Sequence, residues 1–297
     1  MPLLELFSGL GAAGMAWGGP VAAAVDQSPY ANEVYTANHG CSPKAWNLAG
    51  VRLGQLSSFA ANRWWLSPPC QPFTLRGLRR DLEDPSVRPL LRVLEHIVAL
   101  RPAIVAMENV PGFVVSATRA HVRTALEGAG YTLNDRVLCP TTLGVPMRRP
   151  RYYLVATQGG SGEHTANFEA APAVPPVSPL ARYLDALPEP DLYLSEATVR
   201  AYGYSANILD AGDPTVIATC FTSAYGRSPV RAGSYLRDVG GVRRFSPQEI
   251  LRLLGFPADF RLPPAFPARV GYDLAGNSLS VDAVRAVLRN AGVLDHA

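Results

Sequence analysis

Leu3-Leu4-Glu5-Leu6-Phe7-Ser8-Gly9-Leu10-Gly11-Ala12-Ala13-Gly14 decides the fold class. An apolar run of strand length, Leu3 to Phe7, passes into Gly9-x-Gly11-x-x-Gly14, and helix-forming residues continue to about Trp17. Strand, glycine turn and helix form the opening of an α/β unit in which glycine lets the backbone approach a nucleotide-type cofactor. An acid at the end of the next strand binds ribose hydroxyls in such folds, and Asp26, after the apolar run Val21 to Val25, occupies that place. The glycine pattern alone fits a nicotinamide dehydrogenase, an S-adenosylmethionine enzyme, or a tight turn with no ligand. No pyrophosphate clamp or hydride chemistry follows. A reactive cysteine does.

The same alternation continues outward. Ala31 to Asn38 reads as a helix, Trp64 to Ser67 as a strand, and Val87 to Leu100 as a helix. Ala103 to Met107 is an apolar strand, Arg119 to Ala129 is helical, and Tyr152 to Ala156 is a β-type run. Strands alternating with helices imply a mainly parallel sheet covered on both faces, an α/β fold of Rossmann-like kind. From Gly159 to Pro190 the chain turns rich in Gly, Ala, Pro and polar residues, and alternation fades until about Gly241. Residues 1–157 therefore read as a catalytic and cofactor-binding domain, 158–242 as a small target-recognition lobe, and 243–297 as a return to the catalytic domain. That return opens with Ser246-Pro247-Gln248-Glu249, an N-cap serine, a first-turn proline and a glutamate three residues on, and leads a helix to Leu254. A last helix spans Val281 to Ala291.

Composition narrows the class. The 297 residues are 48% hydrophobic, enough for one large domain or one domain with an insert. No apolar run reaches membrane-spanning length, and Glu5 with the nearby glycines interrupts any signal-peptide pattern, so a cytoplasmic protein is expected. Four scattered cysteines, Cys41, Cys70, Cys139 and Cys220, form no Cys-x-x-Cys pair, which favours neither a zinc site nor a disulfide framework. Net charge is +3, carried by arginine with Lys44 the only lysine; the codon bias of a GC-rich genome is the favoured account of that composition, and so modest a charge does not demand a nucleic-acid partner.

Three further segments carry chemistry. In Ser67-Pro68-Pro69-Cys70-Gln71-Pro72, two prolines stiffen the approach to Cys70, and an extended loop is expected to present its thiol. A thiolate that adds to carbon 6 of a pyrimidine makes carbon 5 reactive, given a donor at ring nitrogen 3 and a methyl source. Glu108-Asn109 follows the apolar run ending at Met107, where an α/β sheet gathers its site, and a partly buried Glu108 held protonated would donate to nitrogen 3. Arg149 and Arg151 alternate along an extended segment and are expected to point the same way, toward a base carbonyl, the glutamate or a phosphate. Arg76, Arg79 and Arg80 after the cysteine loop suit a nucleic-acid backbone as well as they suit a solvated loop.

Taken in order, these motifs resemble those of the cytosine carbon-5 methyltransferases over essentially the whole chain. Leu6 to Gly11 looks like the cofactor loop, Pro68-Pro69-Cys70-Gln71 the catalytic loop, Glu108-Asn109-Val110 the nitrogen-3 motif, and Arg149-x-Arg151 the arginine motif. Arg243 to Pro257 resembles the helix that organises the recognition lobe, and Ala275-Gly276-Asn277-Ser278 the segment that returns to the methyl donor. Thr219-Cys220-Phe221-Thr222 with Tyr225, and Gly112-Phe113-x-x-Ser116-x-x-Arg119, are similar to the branch that methylates transfer RNA. Met147 and Gln27 depart from the pattern, at positions bearing on base contacts and adenine stacking.

The resemblance implies S-adenosylmethionine as cofactor, held among Phe7, Gly9, Leu10, Gly11, Asp26, Pro69, Asn277 and Ser278. Cys70, Glu108, Arg149 and Arg151 are the implied catalytic residues. Arg76, Arg79, Arg80, Cys220, Phe221, Thr222 and Tyr225 are the implied nucleic-acid contacts. A monomer without metal, acting on a tRNA anticodon loop, is expected. The rival readings are a DNA (cytosine-5) methyltransferase and a non-catalytic nucleic-acid-binding protein.

Overall fold

In the computed structural model Leu3–Leu6 is a strand (β1) with all four side chains buried, and the turn it feeds opens α1 (Ala12–Trp17). The structure describes residues 1–74, 80–159, 175–228 and 230–294. β2 (Val21–Val25), α2 (Pro29–His39), α3 (Leu53–Ser57), β3 (Arg63–Leu66), α4 (Arg88–Leu100), β4 (Ile104–Asn109), α5 (Ala117–Gly128) and β5 (Tyr131–Leu138) follow. After a short β6 (Met147–Arg148) comes β7 (Arg151–Gln158). Residue contacts divide the chain into two units: Met1–Leu138, Pro150–Ala171 and Val284–Ala297 in the first, and Cys139–Arg149 with Pro172–Ala283 in the second.

The first unit is built on a six-stranded sheet ordered β2-β1-β3-β4-β7-β5. β2, β1, β3 and β4 are parallel, and β7 pairs antiparallel with both β4 and β5, so β7 alone runs against the rest. Burial along β1, β3 and β4 is nearly continuous, as it must be for parallel strands covered on both faces. α4 buries Leu90, Val93, Leu94 and Ile97, one helical stripe, against this sheet's core of Leu4, Leu6, Trp64, Val105 and Met107. Full burial of each such side chain stabilises the fold by about 1.5–3 kcal/mol.

Chain order places β2 on one side of β1 and β3 on the other, so the strand order reverses at β1. Open α/β sheets bind ligands outside the carboxyl ends of their strands at such a point. The loops leaving β1, β2 and β3, and the last residues of β4, all lie at that edge. β4 is longer than its apolar run predicts: Glu108 and Asn109 belong to the strand, in register with Tyr153 and Tyr152 of β7. Pairing with β7 extends it past the point where hydrophobicity stops. β5 escapes a reading by hydrophobicity, because Asn134, Asp135 and Arg136 break its pattern on an edge strand.

In the second unit β8 (Asn207–Asp210), β10 (Ser234–Asp238) and β11 (Gly241–Arg244) form a three-stranded sheet, and β6 pairs with β9 (Ala218–Thr219). Helices α6 (Glu196–Tyr202), α7 (Pro247–Leu253) and α8 (Ala268–Asn277) complete it, and α9 (Val281–Asn290), the last helix among the described residues, belongs from Val284 onward to the first unit. These strands are too short to show alternation in sequence. The cap on α7 forms as its residues predict: Ser246 Oγ accepts from Glu249 N at 3.0 Å, and Glu249 Oε2 accepts from Ser246 N at 2.7 Å. Glu249 also holds Arg243 through two 2.9 Å bonds, with both side chains buried. No helix of the described residues is long and apolar enough to cross a membrane.

Candidate active site

The turn after β1 is held in conformations that side chains resist. Phe7 has φ 55°, Gly9 φ 52° and Gly11 φ 82°, all left-handed. Gly11 must be glycine for a second reason: a Cβ there would run into His39 and Tyr35. A Cβ on Gly9 would meet nothing within 4 Å, so that face of the turn has room. Asp26 ties the turn to β2, its Oδ2 accepting from Gly9 N at 2.9 Å and its Oδ1 from Ser28 N at 2.8 Å. Leu10 is buried, and its carbonyl accepts from His39 Nε2 at 3.0 Å.

Beneath this turn lies Glu5, a carboxyl 1% exposed within an apolar strand. It accepts from Gly14 N at 3.2 Å and from the Tyr35 hydroxyl at 3.1 Å. Burial outweighs these bonds and pushes its pKa up to about 7. Tyr35 stacks on His39 with ring centroids 4.1 Å apart, and burial lowers the His39 pKa against the pull of its bond to Leu10. Composition gave no hint of this support; an acid inside Leu3–Leu6 was the available signal. The turn fits the cofactor the motifs imply: open space stands over Gly9, and Ser8 Oγ is buried with no hydrogen-bond partner among the described residues.

Cys70 leaves β3 through Ser67-Pro68-Pro69 but does not sit in an extended loop. With φ −99° and ψ −9° it caps a short 3-10 turn, Gln71–Phe73, in which Pro72 falls where a missing N–H costs nothing. Cys70 and Pro69 are half-buried. Glu108, 7% exposed, ends the neighbouring strand, and Arg151 Nε lies 3.2 Å from its Oε1. Asn109 joins the two strand ends, its Nδ2 donating to the Pro68 carbonyl at 3.3 Å. Phe73 packs edge-on against Phe113 at 4.8 Å, and Gly112 lies so close under the Phe73 carbonyl that a Cβ cannot be added. The cysteine turn and the glutamate strand are therefore stitched together within the first unit.

Arg149 and Arg151 do not act as a pair along one face. Pro150 separates them between β6 and β7, and each has its own partners. Arg149, 3% exposed, lies in the second unit and donates to the carbonyls of Phe221 (2.8 Å), Gly276 (3.0 Å) and Ser278 (2.6 Å), with Cys220 Sγ at 3.2 Å. Gly276 itself presses on Thr222 and Ser223 backbone. So Arg149 binds the Cys220–Thr222 segment to the end of α8, where Asn277 is exposed and Ser278 buried. Phe221 and Tyr225 are core residues of this unit, each 1% exposed, packed with Phe245, Tyr235 and Tyr272. The Tyr225 hydroxyl donates to Ser234 O and accepts from Phe245 N. Arg80 is exposed, while Arg76 and Arg79 lie outside the described residues. Among the described residues no cluster of His, Cys, Asp and Glu is placed to hold a metal ion.

Known proteins resemble this chain over most of its length. The tRNA (cytosine(38)-C(5))-methyltransferase of Schizosaccharomyces pombe is 29% identical over 312 residues, covering 95% of this chain and 94% of the relative. A DNA (cytosine-5)-methyltransferase of Dictyostelium discoideum is 26% identical over 320 residues, covering 87% and 83%. The crystal structure of the S. pombe Dnmt2 methyltransferase superposes with a TM-score of 0.85 at 27% identity, covering 99% of this chain and 98% of its own. A family model matches residues 1–292, and by it the chain belongs to the C-5 cytosine-specific DNA methylases.

Proposed function

We propose that this cytosine-5 methyltransferase acts on a cytosine in a tRNA anticodon loop, such as that of the tRNA for aspartate or glutamate, with Cys70 as its nucleophile. The carrying observation is the Glu108–Arg151 pair, 3.2 Å apart at the end of β4, tied by Asn109 to the segment that delivers Cys70. Cys70 thiolate adds to carbon 6 of the base while Glu108 donates to nitrogen 3, and Arg151 orients that carboxyl and the base carbonyl. Members of this family use S-adenosylmethionine, which supplies an electrophilic methyl group for carbon 5. Its place in this chain would be over Phe7, Gly9, Leu10, Gly11, Asp26 and Pro69. Loss of the carbon-5 proton to water or a nearby base then expels Cys70 as the thiolate, and the nitrogen-3 proton returns to Glu108.

An RNA loop suits the chemistry, because a loop cytosine is already partly unstacked whereas a duplex base is extruded at a cost of about a few kcal/mol. Full-length similarity to a tRNA methyltransferase supports the same reading. Cys220 and Thr222, half-buried on either side of the core residue Phe221, are the proposed substrate contacts of the second unit, and Arg80 is a proposed phosphate contact of the first. The test is to offer the purified protein labelled methyl donor with total tRNA or genomic DNA. Label in tRNA supports the proposal; label in DNA alone rejects the substrate.

A further inference from the structure

Asp81 is joined to the start of α5, the helix that follows Glu108, Asn109 and the turn Pro111–Val115. Asp81 has φ 50°, a left-handed conformation that favours glycine or asparagine. Its carboxylate reaches the start of α5: Oδ2 accepts from Ala117 N at 2.6 Å, and Oδ1 from Thr118 N at 3.0 Å and from the Thr118 hydroxyl. Ser116 Oγ accepts from Arg119 N at 3.0 Å, so the first three amides of this helix are all taken, two of them by Asp81. Thr118 is fully buried, and its amide and hydroxyl both find their acceptor in the Asp81 carboxylate. Burial works to raise the Asp81 pKa, but the bonds from Thr118 and Ala117 outweigh it and hold the group below the usual carboxylate range.

α5 also controls the other partner of the chemistry. Arg119, the next residue, donates to the Val114 carbonyl at 3.3 Å and to Asp135 at 2.6 Å, fixing the turn Pro111–Val115 that follows Glu108 and Asn109. We propose that Asp81 is a positioning residue: it fixes the first turn of α5, Arg119 of that turn holds the turn Pro111–Val115, and Gly112 and Phe113 of the latter pack on Phe73 of the Cys70 turn, which sets the cysteine against the strand end that bears Glu108. The strained backbone at Asp81 is maintained by the carboxylate's three bonds. This inference rests on the reading of Cys70 as nucleophile.

The variant to make is Asp81→Asn, which tolerates the left-handed backbone but turns one acceptor into a donor facing the Ala117 amide. Trapping on tRNA carrying 5-fluorocytidine separates geometry from folding, because its amplitude counts competent molecules and its rate reports the attack. The expected result is full amplitude with a rate lowered about tenfold or more, and KM within about threefold of the parent. Thr118→Val, which removes one bond of the three, should lower the rate less. Parent-like trapping by Asp81→Asn, or a loss confined to amplitude, overturns the assignment. Iodoacetamide labelling of Cys70, followed by peptide mass spectrometry with exposed Cys41 as internal reference, decides the case even if the parent modifies neither tRNA nor DNA. A Cys70:Cys41 rate ratio shifted about threefold or more by Asp81→Asn supports positioning of the thiol, and an unchanged ratio refutes it.

Discussion

Arg149 and Arg151 sit two places apart in one motif and do opposite work. Arg151 faces a carboxylate at the sheet edge where the first unit gathers Cys70, Asp26 and the glycine turn. Arg149 is buried in the second unit with three backbone carbonyls, holding its own architecture. The same contrast runs through the two regions. At the edge of the first unit polar groups stay available: among the described residues Ser8 Oγ has no partner, and Gly9 opens on free space. In the second unit Arg149, Tyr225 and Arg243 are buried against groups of that unit itself. Residues of one signature therefore divide into one that faces the carboxylate at the proposed site and one that holds the second unit together.

That contrast breaks first at Glu108. Glu108→Gln should lower kcat by about 10²–10⁴-fold with little change in urea midpoint, since the amide keeps the shape but cannot deliver a proton to nitrogen 3. A variant that loses stability and keeps its rate would move Glu108 to the structural side. Arg149→Lys tests the other half. Lysine has one point of charge where three carbonyls now share a planar fork, so a loss of about 3 kcal/mol in folding free energy is expected by urea unfolding. Should that variant remain as stable as the parent, Arg149 would not be the second unit's fastening.

Glu5 sharpens the comparison through pH. Its carboxyl titrates near 7 when folded, against about 4.5 ordinarily, so the folded chain holds this proton more tightly than the unfolded chain does. The corresponding stability is complete below about pH 4.5 and is lost as pH rises through 7, a change of about 3 kcal/mol for a fully buried group. Glu5→Gln, which keeps both hydrogen bonds in kind, should gain on the parent steadily between pH 5 and pH 8 in urea unfolding. Parallel pH curves for the two proteins would show that the group is not neutral in the fold.

What sequence reveals here follows from the range of the forces involved. The Leu3 to Gly14 stretch was legible because a strand, a glycine turn and a helix are local events. The strand-end positions of Cys70 and Glu108 were legible, although proline suggested extension where Cys70 in fact caps a turn. Asp81 was not legible: nothing local marks an aspartate whose partners are Ala117 and Thr118, across the sheet's connections. Nor did the Thr219 to Thr222 signature reveal that Phe221 is core, since aromatic residues serve a nucleobase and a protein interior equally well. The short strands of the second unit pair over long separations, and hydrophobic period is silent over so few residues.

The central claim is a covalent one, and it has a direct measurement. Incubation with methyl donor and tRNA containing 5-fluorocytidine, followed by protease digestion and mass spectrometry, should find the nucleotide joined to the peptide bearing Cys70, because fluorine at carbon 5 blocks the elimination that would release it. Methyl transfer surviving in Cys70→Ala, or an adduct carried by Cys41, Cys139 or Cys220 instead, would contradict the account.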